Sequence, residues 1–278
     1  MQLVVRHQTL YQYAHAASRI ALKLRLRPSD FDGQSVVNWG VSVNGEAIDR
    51  QSINAWGDYE AIFQNKEPAS TVTIVASGLV ETADRAGVVG GLKRDVPPAV
   101  FLRQTSLTIP NGAIAALGKS ASGDNILGRL HNLSALIRER VAYQGGVTSS
   151  QSTAADALSL ERGVCQDHAH IFASAARTQG IPARYVVGYL MASDDMHALH
   201  ETHGWAEAYV EGLGWVGFDA TNGVCTTDHY IRLCCGLDAQ EAAPIKGAIT
   251  GAGEIGIDAD VLISEATGEL QQQMQQQQ

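Results

Sequence analysis

Apolar and polar residues alternate along short runs in the first third of the chain, at Leu3–Thr9, Ile20–Arg27, Ser35–Val43, Tyr59–Gln64 and Thr71–Glu81. A period of two marks strands with one buried face, and the turn-formers Pro28-Ser29-Asp30 and Val43-Asn44-Gly45 punctuate them. Short strands at regular spacing predict a small β-sandwich over residues 1–83. Gly90-Gly91 and Pro97-Pro98 then interrupt the pattern, which places a linker at residues 84–100.

The period changes beyond the linker. Leu127, Leu130, Leu133, Leu136, Ile137 and Val141 recur at steps of three and four, predicting an amphipathic helix between Asn125 and Ala142. A second helix is expected from Cys165 to Gln179, ended by Gly180 and Pro182. Ala183–Leu190, Gly204–Glu211 and Gly214–Asp219 read as strands, the last two joined by the turn Glu211-Gly212-Leu213-Gly214. A helix packed on an antiparallel sheet makes residues 101–268 an α+β catalytic domain, and the whole chain α+β. Residues 269–278, seven of them Gln, are expected to form a disordered tail.

Composition narrows the function. The chain has 278 residues, 45% of them hydrophobic, and a net charge of −9. The first hundred residues carry ten basic and ten acidic side chains and the remainder ten and nineteen, so no basic surface is available for nucleic acid. No apolar stretch approaches the roughly 18–20 residues of a membrane helix, and Met1-Gln2-Leu3-Val4-Val5-Arg6 lacks the design of a signal peptide. A cytoplasmic protein with no membrane partner is the resulting expectation. Cys165, Cys225, Cys234 and Cys235 show no paired framework, which fits a reducing compartment.

One of these cysteines has chemical company. Cys165 follows a glycine-containing turn, Arg162-Gly163-Val164, at the first turn of its expected helix. A helix N-terminus favours thiolate over thiol, and its free N–H groups can receive an oxyanion. His203 lies 38 positions on at the mouth of a strand, and Asp219 a further 16 positions on at the end of the next. In a hairpin turning near Gly212, those two positions come side by side. Nucleophile, base and orienter are thus all supplied.

The runs Gly163-Val164-Cys165-Gln166-Asp167-His168-Ala169-His170, Gly180-Ile181-Pro182-Ala183-Arg184-Tyr185-Val186-Val187-Gly188-Tyr189, His203-Gly204-Trp205 and Gly214-Trp215-Val216-Gly217-Phe218-Asp219-Ala220-Thr221-Asn222 resemble the bacterial transglutaminase-like cysteine peptidase family. Upstream, Arg6-His7-Gln8-Thr9-Leu10-Tyr11-Gln12-Tyr13 and Leu24-Arg25-Leu26-Arg27-Pro28 resemble that family's N-terminal β domain. The resemblance implies a papain-like, transglutaminase-like core with Cys165, His203 and Asp219 as its triad. It also implies cleavage of peptide, isopeptide or other amide bonds through a thioester, or acyl transfer to an amine. Three positions depart from the family pattern: Gly204 where alanine is usual, Ala220 where proline is usual, and His168 where an aromatic is usual.

Other residues compete for roles. His197, His200 and His203 share a spacing of three, but the segment reads as a loop and a metal would occupy the histidine the cysteine needs. Neither metal nor cofactor is expected. His170 is read as a hydrogen-bonded structural residue, and only one of His168 and His170 is expected to approach the site. Asp167 is read as a helix cap or loop anchor. Trp205 and Trp215 are expected beneath the site, and Tyr143, Gln166 and Trp205 are candidates for substrate or oxyanion contacts. The expected partner is a peptide or protein substrate, and the sequence does not set the oligomeric state. A non-catalytic binding module of the same fold is the competing class, disfavoured because a binder has no need of all three groups.

Overall fold

Leu3, Val5, His7, Thr9, Tyr11 and Tyr13, alternate residues of strand β1 (Gln2–Ala17), point inward in the computed structural model, which describes residues 1–94, 96–191 and 202–266. The expected tail and the histidines at 197 and 200 lie outside the described residues. Strand β2 (Arg19–Leu24) likewise buries Ile20, Leu22 and Leu24. Strands β3 (Gln34–Val43) and β4 (Glu46–Ala47) form a hairpin whose two loop residues, Asn44 and Gly45, have φ of 51° and 82°. Two positive φ angles are what a two-residue hairpin turn requires. Strands β5 (Ser52–Ile53), β6 (Tyr59–Gln64) and β7 (Ala69–Thr82) complete the N-terminal run.

The stretch expected to be a linker contributes a short strand to the sheet. Strand β8 (Val88–Val89) pairs with Trp215 and Val216, and a 3₁₀ turn at Pro98–Leu102 buries Phe101 against Trp215. Val89 and Phe101 are buried together with Trp215, and Val88 is half-buried against the main core.

Helices α1 (Gly112–Ser120) and α2 (Ile126–Arg140) follow, started by Asn111 and Asn125, whose side chains accept the N–H groups of Ile114 and Gly128. Strand β9 (Ala142–Tyr143), helix α3 (Ala154–Leu160) and strand β10 (Arg162–Gly163) lead to α4 (Cys165–Thr178), which is buried from Asp167 to Arg177. Strands β11 (Ala183–Leu190), β12 (His203–Val210), β13 (Gly214–Asp219), β14 (Val224–Cys225) and β15 (Tyr230–Gly236) form a sheet in the order β14-β13-β12-β11-β15, with β8 on β13. Ala169, Ala173 and Ala176 of α4 share a core with Ala206 and Ala208 of β12. Small side chains on both surfaces let helix and sheet approach closely. None of the described helices is long and apolar enough to cross a membrane.

The last two strands, β16 (Ile245–Thr250) and β17 (Ile255–Glu265), return to the N-terminal sheets. One sheet runs β17-β1-β7-β3-β4 and the other β16-β2-β6-β5, and residues of both share one core. A catalytic segment drawn as 101–268 therefore cuts through strand pairs, because β16 bonds to β2 and β17 to β1 along its length. The α+β class and the antiparallel sheet beneath the helix that Cys165 opens stand as expected.

Charged residues tie the layers together. Glu207 on β12 accepts Arg184 Nε at 2.5 Å and Arg232 Nε at 3.0 Å, and Asp58 from the N-terminal region lies 3.6 Å from Arg232 and 3.8 Å from Arg25. All five are buried. Gln34 on β3 bonds both the N–H and the C=O of Arg232, at 2.7 and 2.9 Å. His7 on β1 meets the Tyr189 hydroxyl of β11 at 3.1 Å.

Candidate active site

Cys165 is the first residue of α4 and is half-buried. The turn before it is shaped by Asp167, whose carboxylate folds back to accept the Val164 N–H at 2.8 Å and the Thr148 hydroxyl at 2.7 Å. Gly163 permits this, because a Cβ there would sit 2.7 Å from that carboxylate oxygen. Asp167 is thus the anchor the sequence indicated. Burial raises its carboxyl above the usual range while Thr148 and Val164 partly offset the rise. Val164 has no side-chain acceptor, so no side chain caps the N-terminus of α4 from that position.

His203 opens β12 and Asp219 closes β13, and the register Ala206↔Phe218 brings both to the same end of the hairpin. His203 Nε2 lies 2.7 Å from Asp219 Oδ2. Burial disfavours the charged imidazole, but the Asp219 carboxylate and the neighbouring Cys165 side chain outweigh it and raise the ring to about 10. Burial also pushes the Asp219 carboxyl up, and His203, Asn222 and Tyr230 reverse that, holding it below the ordinary carboxylate value. His203 therefore neighbours both the sulfur and the carboxylate, the three groups singled out from the sequence.

Asp219 is the most heavily bonded group of the site. Its Oδ1 accepts the N–H groups of Thr221 and Asn222 at 2.9 and 3.2 Å. Its Oδ2 accepts Asn222 Nδ2 at 2.7 Å and the Tyr230 hydroxyl at 2.8 Å, besides His203. Tyr230 was not indicated by the sequence. It lies 11 positions past Asp219 at the start of β15, which the sheet order separates from β13 by two strands. Asn222 belongs to a quoted motif, but no pattern assigned it a role.

The remaining candidates divide. Trp205 is buried with its ring stacked 6.3 Å from His203 and edge-on to Tyr230 at 5.5 Å, so it walls the site. Trp215 does not: it sits at the turn end of the hairpin, opposite Tyr209, under the Arg184 guanidinium at 4.0 Å. Tyr143 is opposite Gly163 in the short parallel pair β9–β10, two residues before the cysteine, and Gln166 is the second residue of α4. Both are half-buried.

His168 bridges Thr221 at 2.8 Å and the Val141 carbonyl at 2.9 Å, tying α4 to the turn after Asp219. His170 accepts the Ala239 N–H at 3.0 Å, a structural bond as expected. Gly204 has a steric reason, since a Cβ there would collide with the Tyr185 hydroxyl. Among the described residues, no three His, Cys, Asp or Glu side chains are placed to hold a metal. The other three thiols are pushed up chiefly by burial, Cys225 and Cys235 each to about 11 and Cys234 further.

Residues 116–220 match the family model of the transglutaminase-like superfamily, and residues 3–81 match that of the bacterial transglutaminase-like N-terminal region. An uncharacterized protein of Mycobacterium leprae is 30% identical over 271 residues, spanning 94% of this chain and 97% of that one. An uncharacterized protein of Mycobacterium bovis is 25% identical over 279 residues, spanning 88% and 86%. A solved structure described as a candidate cysteine protease of Cytophaga hutchinsonii is 21% identical, covers 96% of this chain and 91% of its own, and superposes with a TM-score of 0.74, a likeness of fold.

Proposed function

Because the chain belongs to the transglutaminase-like superfamily and carries the bacterial N-terminal region, we propose that it is a cysteine-nucleophile enzyme that cleaves peptide, isopeptide or related amide bonds. The observation that carries this reading is the single imidazole of His203, hydrogen-bonded to Asp219 and lying beside Cys165 at the head of a buried helix. A binding module has no use for that arrangement.

The chemistry follows from the placement. Cys165 Sγ, as thiolate beside imidazolium, attacks the acyl carbon, and the carbonyl pair moves onto oxygen. The uncapped first turn of α4, with the N–H groups of Cys165 and Gln166, receives that oxyanion. His203 gives its proton to the leaving nitrogen as the C–N bond breaks, leaving a thioester. Water, deprotonated by His203, then releases the acid and restores the thiolate. Asp219 orients the ring and stabilises its charged form. Trp205 lines the acyl side of the cleft, with Tyr143 beside the turn that precedes the nucleophile.

The test is mass spectrometry after incubation with pooled glutamine peptides and simple amides. An acyl adduct on Cys165 that is absent in Cys165→Ala supports the reading, and turnover that survives in the alanine variant overturns it. Adding a primary amine separates the two acceptors: free acid means hydrolysis, and conjugate means transfer.

A further inference from the structure

Tyr230 takes no proton and forms no bond in the cycle above, yet its hydroxyl ends on the oxygen that holds His203. Asp219 Oδ2 accepts Tyr230 at 2.8 Å, His203 at 2.7 Å and Asn222 at 2.7 Å, while Oδ1 accepts two backbone N–H groups at 2.9 and 3.2 Å. A carboxylate offers about four lone-pair sites, so five donors saturate it and each one draws charge away from the imidazole. The Tyr230 ring packs against Trp205 at 5.5 Å and His203 at 6.1 Å, so its hydroxyl can be removed without removing the wall.

We propose that Tyr230 is a positioning residue that limits how tightly Asp219 holds the His203 proton, so that the imidazolium can release it to a poor leaving group such as an amide nitrogen. This rests on the nucleophile reading of Cys165. In acylation the S–C bond forms, the C–N bond breaks, and the proton on His203 moves to the departing nitrogen. A carboxylate freed of one donor keeps that proton on the ring. An aryl ester leaves as a stable oxyanion and does not need the proton.

Among the described residues, the titratable groups that act on the pair are Cys165 at the head of α4, Cys225 on β14 and Tyr230 itself; His168 on α4 is turned to Thr221 and Val141. Burial and the Asp219 charge push the Tyr230 hydroxyl far above its ordinary value, so it remains a donor throughout the working range.

The experiment compares wild type with Tyr230→Phe, using p-nitrophenyl acetate, acetyl-p-nitroanilide and iodoacetamide as probes. The anilide rate is expected to fall about tenfold more than the ester rate. The alkaline limb of Cys165 alkylation is expected to move up by about half a pH unit, because the less-saturated carboxylate binds the imidazolium more strongly. Asn222→Ala removes another donor from the same oxygen and is expected to shift both readouts in the same direction, whether or not Tyr230→Phe folds well. Equal losses on ester and anilide, or an unmoved alkaline limb in both variants, overturn the proposal. Ester turnover that survives in Cys165→Ala registers separately as failure of the nucleophile reading, and takes the proposal with it.

Discussion

Arg184 and Glu207 face each other across β11 and β12 with Nε and Oε2 2.5 Å apart, and each side chain is 1% exposed. Glu207 also holds Arg232, which has Asp58 at 3.6 Å as a second carboxylate. Glu207→Gln keeps the shape and removes the charge. The expected loss is about 3–5 kcal/mol of unfolding free energy, the usual cost of leaving a buried charge without its partner. Urea unfolding measures it, and a loss under about 1 kcal/mol would show that water screens the group.

The N-terminal region is expected to be inseparable from the sheet that carries the candidate site. Deleting residues 1–83 strips β16 and β17 of their partners and leaves Arg232 without Asp58 and Gln34. The truncated protein is expected to be insoluble or to lack a cooperative thermal transition. A soluble fragment with sharp unfolding would contradict this.

Iodoacetamide near pH 7 is expected to label Cys165 at least about 100-fold faster than any other cysteine. Cys234 and Cys235 are fully buried, and burial pushes Cys235 up to about 11; Cys225 is half-buried and likewise raised to about 11. Peptide mapping over time reads the four rates. Comparable labelling of Cys225 and Cys165 would remove the case for an activated sulfur.

Mild acid is expected to destabilise the fold through two buried histidines. Burial lowers both His7 and His170 to about 4, against an ordinary value of 6.5. Below pH 6.5 the unfolded chain takes up protons that the folded one refuses. Their stabilising contribution is complete above pH 6.5 and is lost as pH falls to about 4, on the order of 2–3 kcal/mol for each ring. Melting temperatures between pH 7 and 4 measure the slope, and His170→Gln is expected to flatten it. An unchanged slope in that variant would assign the acid sensitivity elsewhere.

How far the site could be read from the sequence depended on how local its signals were. Cys165 was marked by a glycine turn and a helix start, and His203 and Asp219 by one hairpin, all short-range patterns. Tyr230 was hidden because β15 lies beyond β11 in the sheet, an arrangement that no spacing in the chain encodes. Trp205 and Trp215 were equivalent in sequence, and only the register distinguishes the open end of the hairpin from its turn. The return of β16 and β17 was unreadable for a different reason. Most of β17 is exposed at a sheet edge, including Ile255 and Ile257, so its alternation signals no core.

That return also sets a schedule for synthesis. Strand β1, which emerges before the other described strands, lies between β7 and β17, and β17 ends at Glu265. The ribosome therefore delivers every residue of the candidate site before the N-terminal sheet can close, and the closing contact joins Leu3 to Glu265. Such long-range pairing is slow to form. The exposed side of β1 needs protection from other nascent chains during that interval.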